Sequence, residues 1–299
     1  MRVTTAVLSA LNTTLSAAYQ GGLEMSDSQY LRVATEIASS NKSNTYGWLG
    51  KMPNVREWIG DRVIQNLKSH SYQIFNKDWE LTLGVDRNDI EDDDLGQYAP
   101  LFQEMGMSTQ SKSDLLTFGL LAEGFTTDCY DGQPFFDTDH PVLDKEGVEQ
   151  PVSNMTAGAS TPWFLMSTKR PLKPLIYQNR KPWQFVAKDA LTDDNVFHKK
   201  EFIYGSDARA NVGFGLWQLA HGSKATLNAA NYEIARVAMS GMLGDHGRPL
   251  GIKPDLLVVP PSLEGAANKI VTNLLAAGGE TNEWAGTAEV LVVPWLAAA

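Results

Sequence analysis

Cysteine is almost absent: Cys129 is the only one in 299 residues. No intrachain disulfide can form, no cysteine-rich zinc site exists, and the chain suits a reducing compartment. Clustered positive charge is also missing. Lys and Arg total 25 against 35 Asp and Glu, a formal net charge of −10 with no basic run. That speaks against nucleic-acid binding, which rests on clustered Lys and Arg against phosphates. No window approaches the ~18 apolar residues of a membrane span. The opening MRVTTAVLSALNTTLSAAY is too broken by Thr, Ser and Asn for a secretory signal. Neither G-x-x-x-x-G-K-[ST], G-x-G-x-x-G, H-E-x-x-H nor G-x-S-x-G occurs.

What remains is the composition of a folded protein, with 43% apolar and 20% charged residues. Val3, Val7, Leu8, Leu11 and Leu15 predict an amphipathic helix over residues 4–19, stopped by Gly21-Gly22. A second helix is predicted from Ser26 or Asp27 through Ala38, and a short one near Val55. SYQIF (71–75) and WELTLGV (79–85) alternate and predict a hairpin about Asn76-Lys77-Asp78, with Trp79, Leu81, Leu83 and Val85 on one face. A long helix is predicted over 97–125, weakened at Gly106 and Gly119, where a bend is expected. Residues 147–161 read as a loop and 163–222 as strand-rich. The last part is α/β in character: a helix over 228–242, a buried strand at 255–261, a helix from Ser262 through Leu275, and the closing strand EVLVVPWL.

Candidate chemistry is sparse. Asp89, Glu91 and Asp93 have part of a calcium-loop spacing, but Leu95 and Pro100 fall where ligands belong. Acids Glu91 to Asp94 are better read as favouring the start of the following helix. Cys129 with His140 has the residue types of a thiol nucleophile and its base. Asp128 and Asp131 flank the thiol and would raise its pKa, so a structural cysteine and a loop-packing histidine are expected. His70, His198, His221 and His246 form no metal spacing. No catalytic, metal or cofactor residue is assigned. A site gathered from Asp207, Arg209 and His221 is the enzymatic alternative, against a structural ion pair at Asp207 and Arg209.

The segment SNTYGWLGKMPNVREWIGDR (43–62) stands apart. It carries Tyr46, Trp48 and Trp58 among Gly47, Gly50, Pro53 and Gly60, too many breakers for a helix and too much aromatic surface for a solvated loop. With Trp79 and Leu81 of the hairpin, these residues are expected to be buried against another copy of the chain.

Seven stretches, in order and over nearly the whole chain, resemble the major head subunit of Mu-like tailed phages. They are QGGLEMSDSQY (20–30), SNTYGWLGKMPNVREWIGDR (43–62), GVDRNDIEDDDLGQYAPLFQEMG (84–106), GFTTDCYDGQPFFDTDHPV (124–142), PLKPLIYQNRKP (171–182), DARANVGFGLWQLA (207–220) and KPDLLVVPPSLEGAA (253–267). The resemblance implies an α+β chain with the Hong Kong 97 type phage capsid fold: an N-terminal arm over 1–62, an E-loop hairpin over 63–93, a peripheral domain over 94–222 with its spine helix at 97–125, and an axial domain with the C-terminal strand over 223–299. It implies a structural protein, not an enzyme, that assembles in the host cytoplasm into hexamers and pentamers of an icosahedral virion head around double-stranded DNA, without sequence-specific DNA binding. The chain opens directly on the arm, so scaffolding is expected from a separate protein. A portal at one vertex and a decoration protein are further implied partners; no membrane is. The crosslinking residues of some relatives have no assignable counterpart, and Lys68 and Lys77 read as surface lysines. An encapsulin-like nanocompartment shell is the alternative with the same fold.

Overall fold

The computed structural model describes residues 4–47, 49, 72–92, 98–276 and 279–297. Thr4 heads the first helix, α1 (Thr5–Met25), its hydroxyl accepting from the Val7 amide. Leu8, Leu11, Leu15 and Tyr19 form the buried stripe. The helix does not stop at Gly21-Gly22 as predicted. Gly22 is where it crosses a later helix, and a Cβ there would fall on the Gln103 backbone. The expected second helix is a correction too. One turn, α2 (Tyr30–Val33), gives way to a strand, β1 (Ala34–Ala38), where β-branched Thr35 and Ile37 suit extended backbone.

Next come β2 (Ser43–Thr45), β3 (Gln73–Phe75) and β4 (Lys77–Asp86). The predicted 71–85 hairpin is absent. Asn76 alone separates β3 from β4, too little for a hairpin loop, and β3 pairs with β2 instead. The alternation within β4 is as read: Trp79, Leu81, Leu83 and Val85 face inward while their neighbours are exposed. The short helix expected near Val55 and the first part of the expected E-loop span, residues 63–71, lie outside the described residues.

After α3 (Arg87–Glu91) comes α4 (Tyr98–Ala122), continued by a 3₁₀ turn at Glu123–Phe125. This matches the predicted 97–125, but the helix runs unbroken through Gly106. There a Cβ would meet the Tyr19 carbonyl and the Leu23 amide, so glycine serves the close crossing with α1. The expected loop over 147–161 is another correction: β5 (His140–Leu143) and β6 (Glu149–Val152) form a hairpin, turning through Gly147 at φ 80°, followed by β7 (Met155–Thr156). The chain continues through β8 (Trp163–Met166), β9 (Leu175–Lys188), α5 (Asp194–Lys199), β10 (Glu201–Phe214), β11 (Ala220–Ser223), α6 (Ala229–Ser240), the small pair β12 (Leu243–Gly244) and β13 (Arg248–Pro249), β14 (Leu256–Val259), α7 (Glu264–Val271) and β15 (Glu289–Val292).

Two sheets organise these elements. The longer one runs β1-β9-β10-β4, with β1 parallel to β9 and both other pairings antiparallel. The second runs β15-β14-β8-β11-β7, with β14, α7 and β15 as a parallel strand-helix-strand unit. The boundary expected at residue 222 falls inside β11, whose sheet also holds β8, β14 and β15. Two clusters of buried side chains pack on these sheets, and the first sheet contributes to both, with Leu175, Ile176 and Phe214 joining the cluster of the second sheet. The smaller cluster joins Leu8, Leu15 and Tyr19 of α1 to Phe102 and Met105 of α4 and Phe202 and Tyr204 of β10. The larger holds Phe118 and Leu121 of α4 with Phe135, Phe164, Trp217 and the strands of the second sheet. The Tyr19 hydroxyl ties the layers together, 2.5 Å from the Ser206 hydroxyl and 3.2 Å from that of Thr109.

Candidate functional site

The residues expected to touch another copy have different surroundings. The Tyr46 ring is buried in its own chain, its hydroxyl donating to Gln178 Oε1 at 2.7 Å while the Gln178 amide donates to the Ile74 carbonyl and Asn76. Little of Tyr46 is left to offer a neighbour. Trp79 sits opposite Ala208 on β10, its indole N–H donating to the Ala210 carbonyl at 3.0 Å and the Lys112 ammonium 4.0 Å from its ring centre. Leu81 packs against the α1–α4 cluster and stays half-buried. Trp48 and Trp58 lie outside the described residues.

A cavity of about 170 Å³ opens between α4 and β9, lined by Tyr30, Ser113, Tyr177, Lys181 and Trp183. It is smaller than a usual ligand site, and Lys181 is committed to an ion pair with Asp207.

The turn-rich segment after α4 does bring Cys129 and His140 together, through a residue that was read only as a neighbouring charge. Asp131 accepts from the Cys129 thiol at 3.0 Å and pairs with His140 Nδ1 at 2.8 Å. The three offer a cation-sized cluster of donor atoms. His140 is fully buried and stacked on Trp217, ring centres 4.0 Å apart and nearly parallel. Burial, then the Asp131 charge, pushes the Cys129 thiol far up, the opposite of what a nucleophile needs. Burial alone would push the Asp131 carboxyl up, but hydrogen bonds from His140 and Cys129 outweigh it and the net shift is downward. The arrangement joins the 126–140 turn to Trp217, in the short turn that leads into β11. The only sign of it in the sequence is the Cys-x-Asp spacing before His140, which by itself points nowhere.

Asp207, Arg209 and His221 are each engaged separately. Asp207 pairs with Lys181, Arg209 with Asp78 at 2.6 Å, and His221, in the other sheet, lies 2.9 Å from the Thr156 hydroxyl. The expected Asp207–Arg209 ion pair is thus replaced by two cross-strand pairs.

Burial pushes the His221 imidazole from 6.5 down to about 4. A histidine that folds neutral contributes stability above its free pKa, and that stability is lost as pH falls from 6.5 toward about 4. The full loss is about 3 kcal/mol. Thermal melts at pH 7.5 and pH 4.5 are expected to differ less for His221→Gln than for the parent. Equal losses in both would remove His221 as the cause.

The chain matches the family model of the Mu-like prophage major head subunit gpT over residues 8–296. It is 44% identical over 305 residues to the major capsid protein of Escherichia phage Mu, covering 99% of this chain and 100% of that one. Among solved structures it is similar to the chain of the procapsid of bacteriophage JBD30, with a TM-score of 0.86, 46% identity and coverage of 98% and 100%. It is also similar to the chain of the JBD30 capsid decorated with minor capsid protein trimers, with a TM-score of 0.77, 36% identity and coverage of 93% of each.

Proposed function

This chain belongs to the family of Mu-like prophage major head subunits, and from that premise we propose how its copies build a phage head. It is a structural capsid protein with the phage capsid fold, located in the virion head, and it acts as a homo-oligomer. The observation that carries the reading is the likeness to a procapsid chain along the whole length, arm helix through last strand.

In finer detail, the copies form hexamers and pentamers of an icosahedral shell around double-stranded DNA. The net charge of −10 supports a wall that encloses DNA without gripping it. Assembly uses a separate scaffolding protein and a portal at one vertex. The decorated JBD30 capsid supports a minor capsid protein as an outer partner here. Within the chain, residues 1–62 act as the arm, 63–93 as the E-loop, α4 as the spine of the peripheral part, and the residues from 223 onward as most of the axial part. β8 and β11 go with that axial part, because they share the sheet of β14 and β15.

Contacts between copies are carried by Trp48 and Trp58, with the outer surfaces of Trp79 and Leu81; Tyr46 contributes by shaping its own chain. A tryptophan sealed between copies removes roughly 150–250 Å² from water, about 4–6 kcal/mol gross at ~25 cal/mol per Å². Repeated around a shell, such contacts make a stable wall from modest interfaces.

Negative-stain microscopy of the purified chain is expected to find rings, shells or tubes; discrete small particles alone would overturn the reading. Trp58→Ala is expected to lower the assembled fraction while the unassembled chain melts as the parent does. A lowered melting temperature with normal assembly would return Trp58 to its own chain's core.

A further inference from the structure

Two exposed apolar features lie on the part of the chain built around the second sheet, and among the described residues nothing covers either. The first is the outer face of α6. Tyr232, Ala235 and Met239 are its buried face. At about 100° per residue the opposite face carries Glu233, Ile234 and Val237. Ile234 is 53% and Val237 62% exposed. The second is the turn that follows α7, where Leu274 is 76% and Leu275 62% exposed.

That turn is braced. The Asn282 side-chain amide reaches the carbonyls of Lys269, Ile270 and Asn273, which the end of α7 would otherwise leave open, and Leu275 bridges to Thr281. Single exposed leucines are ordinary, but two adjacent ones held out on a fixed turn make a contact surface.

The two features sit at different places on the sheet. α6 packs by β11, and α7 by β14 and β15, which lie at the far end of the order β15-β14-β8-β11-β7. A closed ring of identical copies requires this property, because each copy must present two different, complementary patches, one to each neighbour. Charge offers one complementary pair: the α6 face includes Glu233, and exposed Lys269 precedes the turn while exposed Glu280 and Glu283 follow it; neither Glu233 nor Lys269 forms an ion pair among the described residues. Packing α6 against α6 would instead place two Glu233 carboxylates in one apolar patch.

We infer that the Leu274–Leu275 turn of one copy seats on the outer face of α6 in the next copy around a capsomer, covering Ile234 and Val237 and bringing Lys269 to Glu233. The inference deepens the capsid reading above and rests on it.

Charge reversal tests it in the full chain. Glu233→Lys and Lys269→Glu, each singly, are expected to lower the assembled fraction about tenfold, because each sets like charges together in the contact. The Glu233→Lys/Lys269→Glu double variant is expected to return to within about twofold of the parent, because the pair is restored with its order exchanged. Sedimentation velocity and negative-stain microscopy read the assembled fraction, and circular dichroism checks each variant's fold. A third variant, Leu274→Ser with Leu275→Ser, removes the apolar part of the contact without touching charge and is expected to reduce assembly as strongly as either reversal. Normal assembly of the single reversals, or a double variant no better than the worse single, overturns the pairing while the parent still assembles. A parent that forms no rings, shells or tubes overturns the capsid reading itself, and the pairing with it.

Discussion

Gly106→Leu is expected to loosen α1 from α4, with a loss of about 3 kcal/mol and a fall in Tm on the order of 10 °C. Gly106 and Gly22 are the two points where α4 and α1 touch backbone to backbone, and any side chain at Gly106 would meet the Tyr19 carbonyl and the Leu23 amide. Neither atom belongs to a flexible side chain, so the helices must separate. Separation also opens the packing of Leu8, Leu15 and Tyr19 against Phe102 and Met105. Limited proteolysis should then cut within α1, where the parent resists. Gly119 supplies the control, since it lies in the same helix but nothing stands within 4 Å of its missing Cβ. Gly119→Ala is expected to stabilise by about 0.5–1 kcal/mol, through lower backbone entropy in the unfolded chain. Should Gly106→Leu melt like the parent, the glycine crossing does not hold α1.

The second large effect is expected at Asp114. This carboxylate is buried in α4, and its Oδ1 accepts from the Ser28 hydroxyl at 3.0 Å and from the Gln29 and Tyr30 amides at 2.9 and 2.7 Å. It thereby caps α2 from another element, a cap that no residue of 26–30 provides for itself. Asp114→Ala leaves these donors without an acceptor and is expected to cost about 4 kcal/mol. Burial pushes the Asp114 carboxyl above its ordinary range, and the three hydrogen bonds pull it back part of the way. Charge is therefore the unfavourable part of the group and the acceptor oxygen the useful part. Asp114→Asn keeps an acceptor and is expected to lose well under half as much, by urea unfolding of both variants against the parent. If Asn is as damaging as Ala, the cap depends on charge and the account is wrong.

Asp114 also illustrates what the sequence withholds. α4, α6 and the β14–α7–β15 unit were legible because each has its own period, and α6 its own cap, the Asn228 side chain accepting from the Asn231 amide; the expected Ser262 cap and the extension through Leu275 fail, since α7 starts at Glu264 without a side-chain cap and ends at Val271. Residues 26–38 were misread because their helical spacing is real but competes with a distant cap and a parallel partner strand, β9, more than a hundred positions on. β4 was misread only in its partner: its alternation shows which side chains face inward, and nothing local shows that β10 lies beside it. The candidate site divides along the same line. Residue types and spacing sufficed to discount Cys129 as a nucleophile, because its acidic neighbours are adjacent in sequence. The stack of His140 on Trp217 joins segments from different elements and was invisible. Aromatic residues in a breaker-rich segment point to a surface that needs covering, but not to which chain covers it, and Tyr46 finds its place at Gln178.

The length of α4 has a mechanical consequence. Its 25 residues form a rod about 38 Å long. One end is keyed into the cluster shared with α1 by Phe102 and Met105, the other into the larger cluster by Phe118 and Leu121. The two halves of the subunit cannot tilt independently without bending the rod or pulling out one set of keys. In a curved wall such a subunit bears load as a stiff plate, and the give falls at the seams between plates.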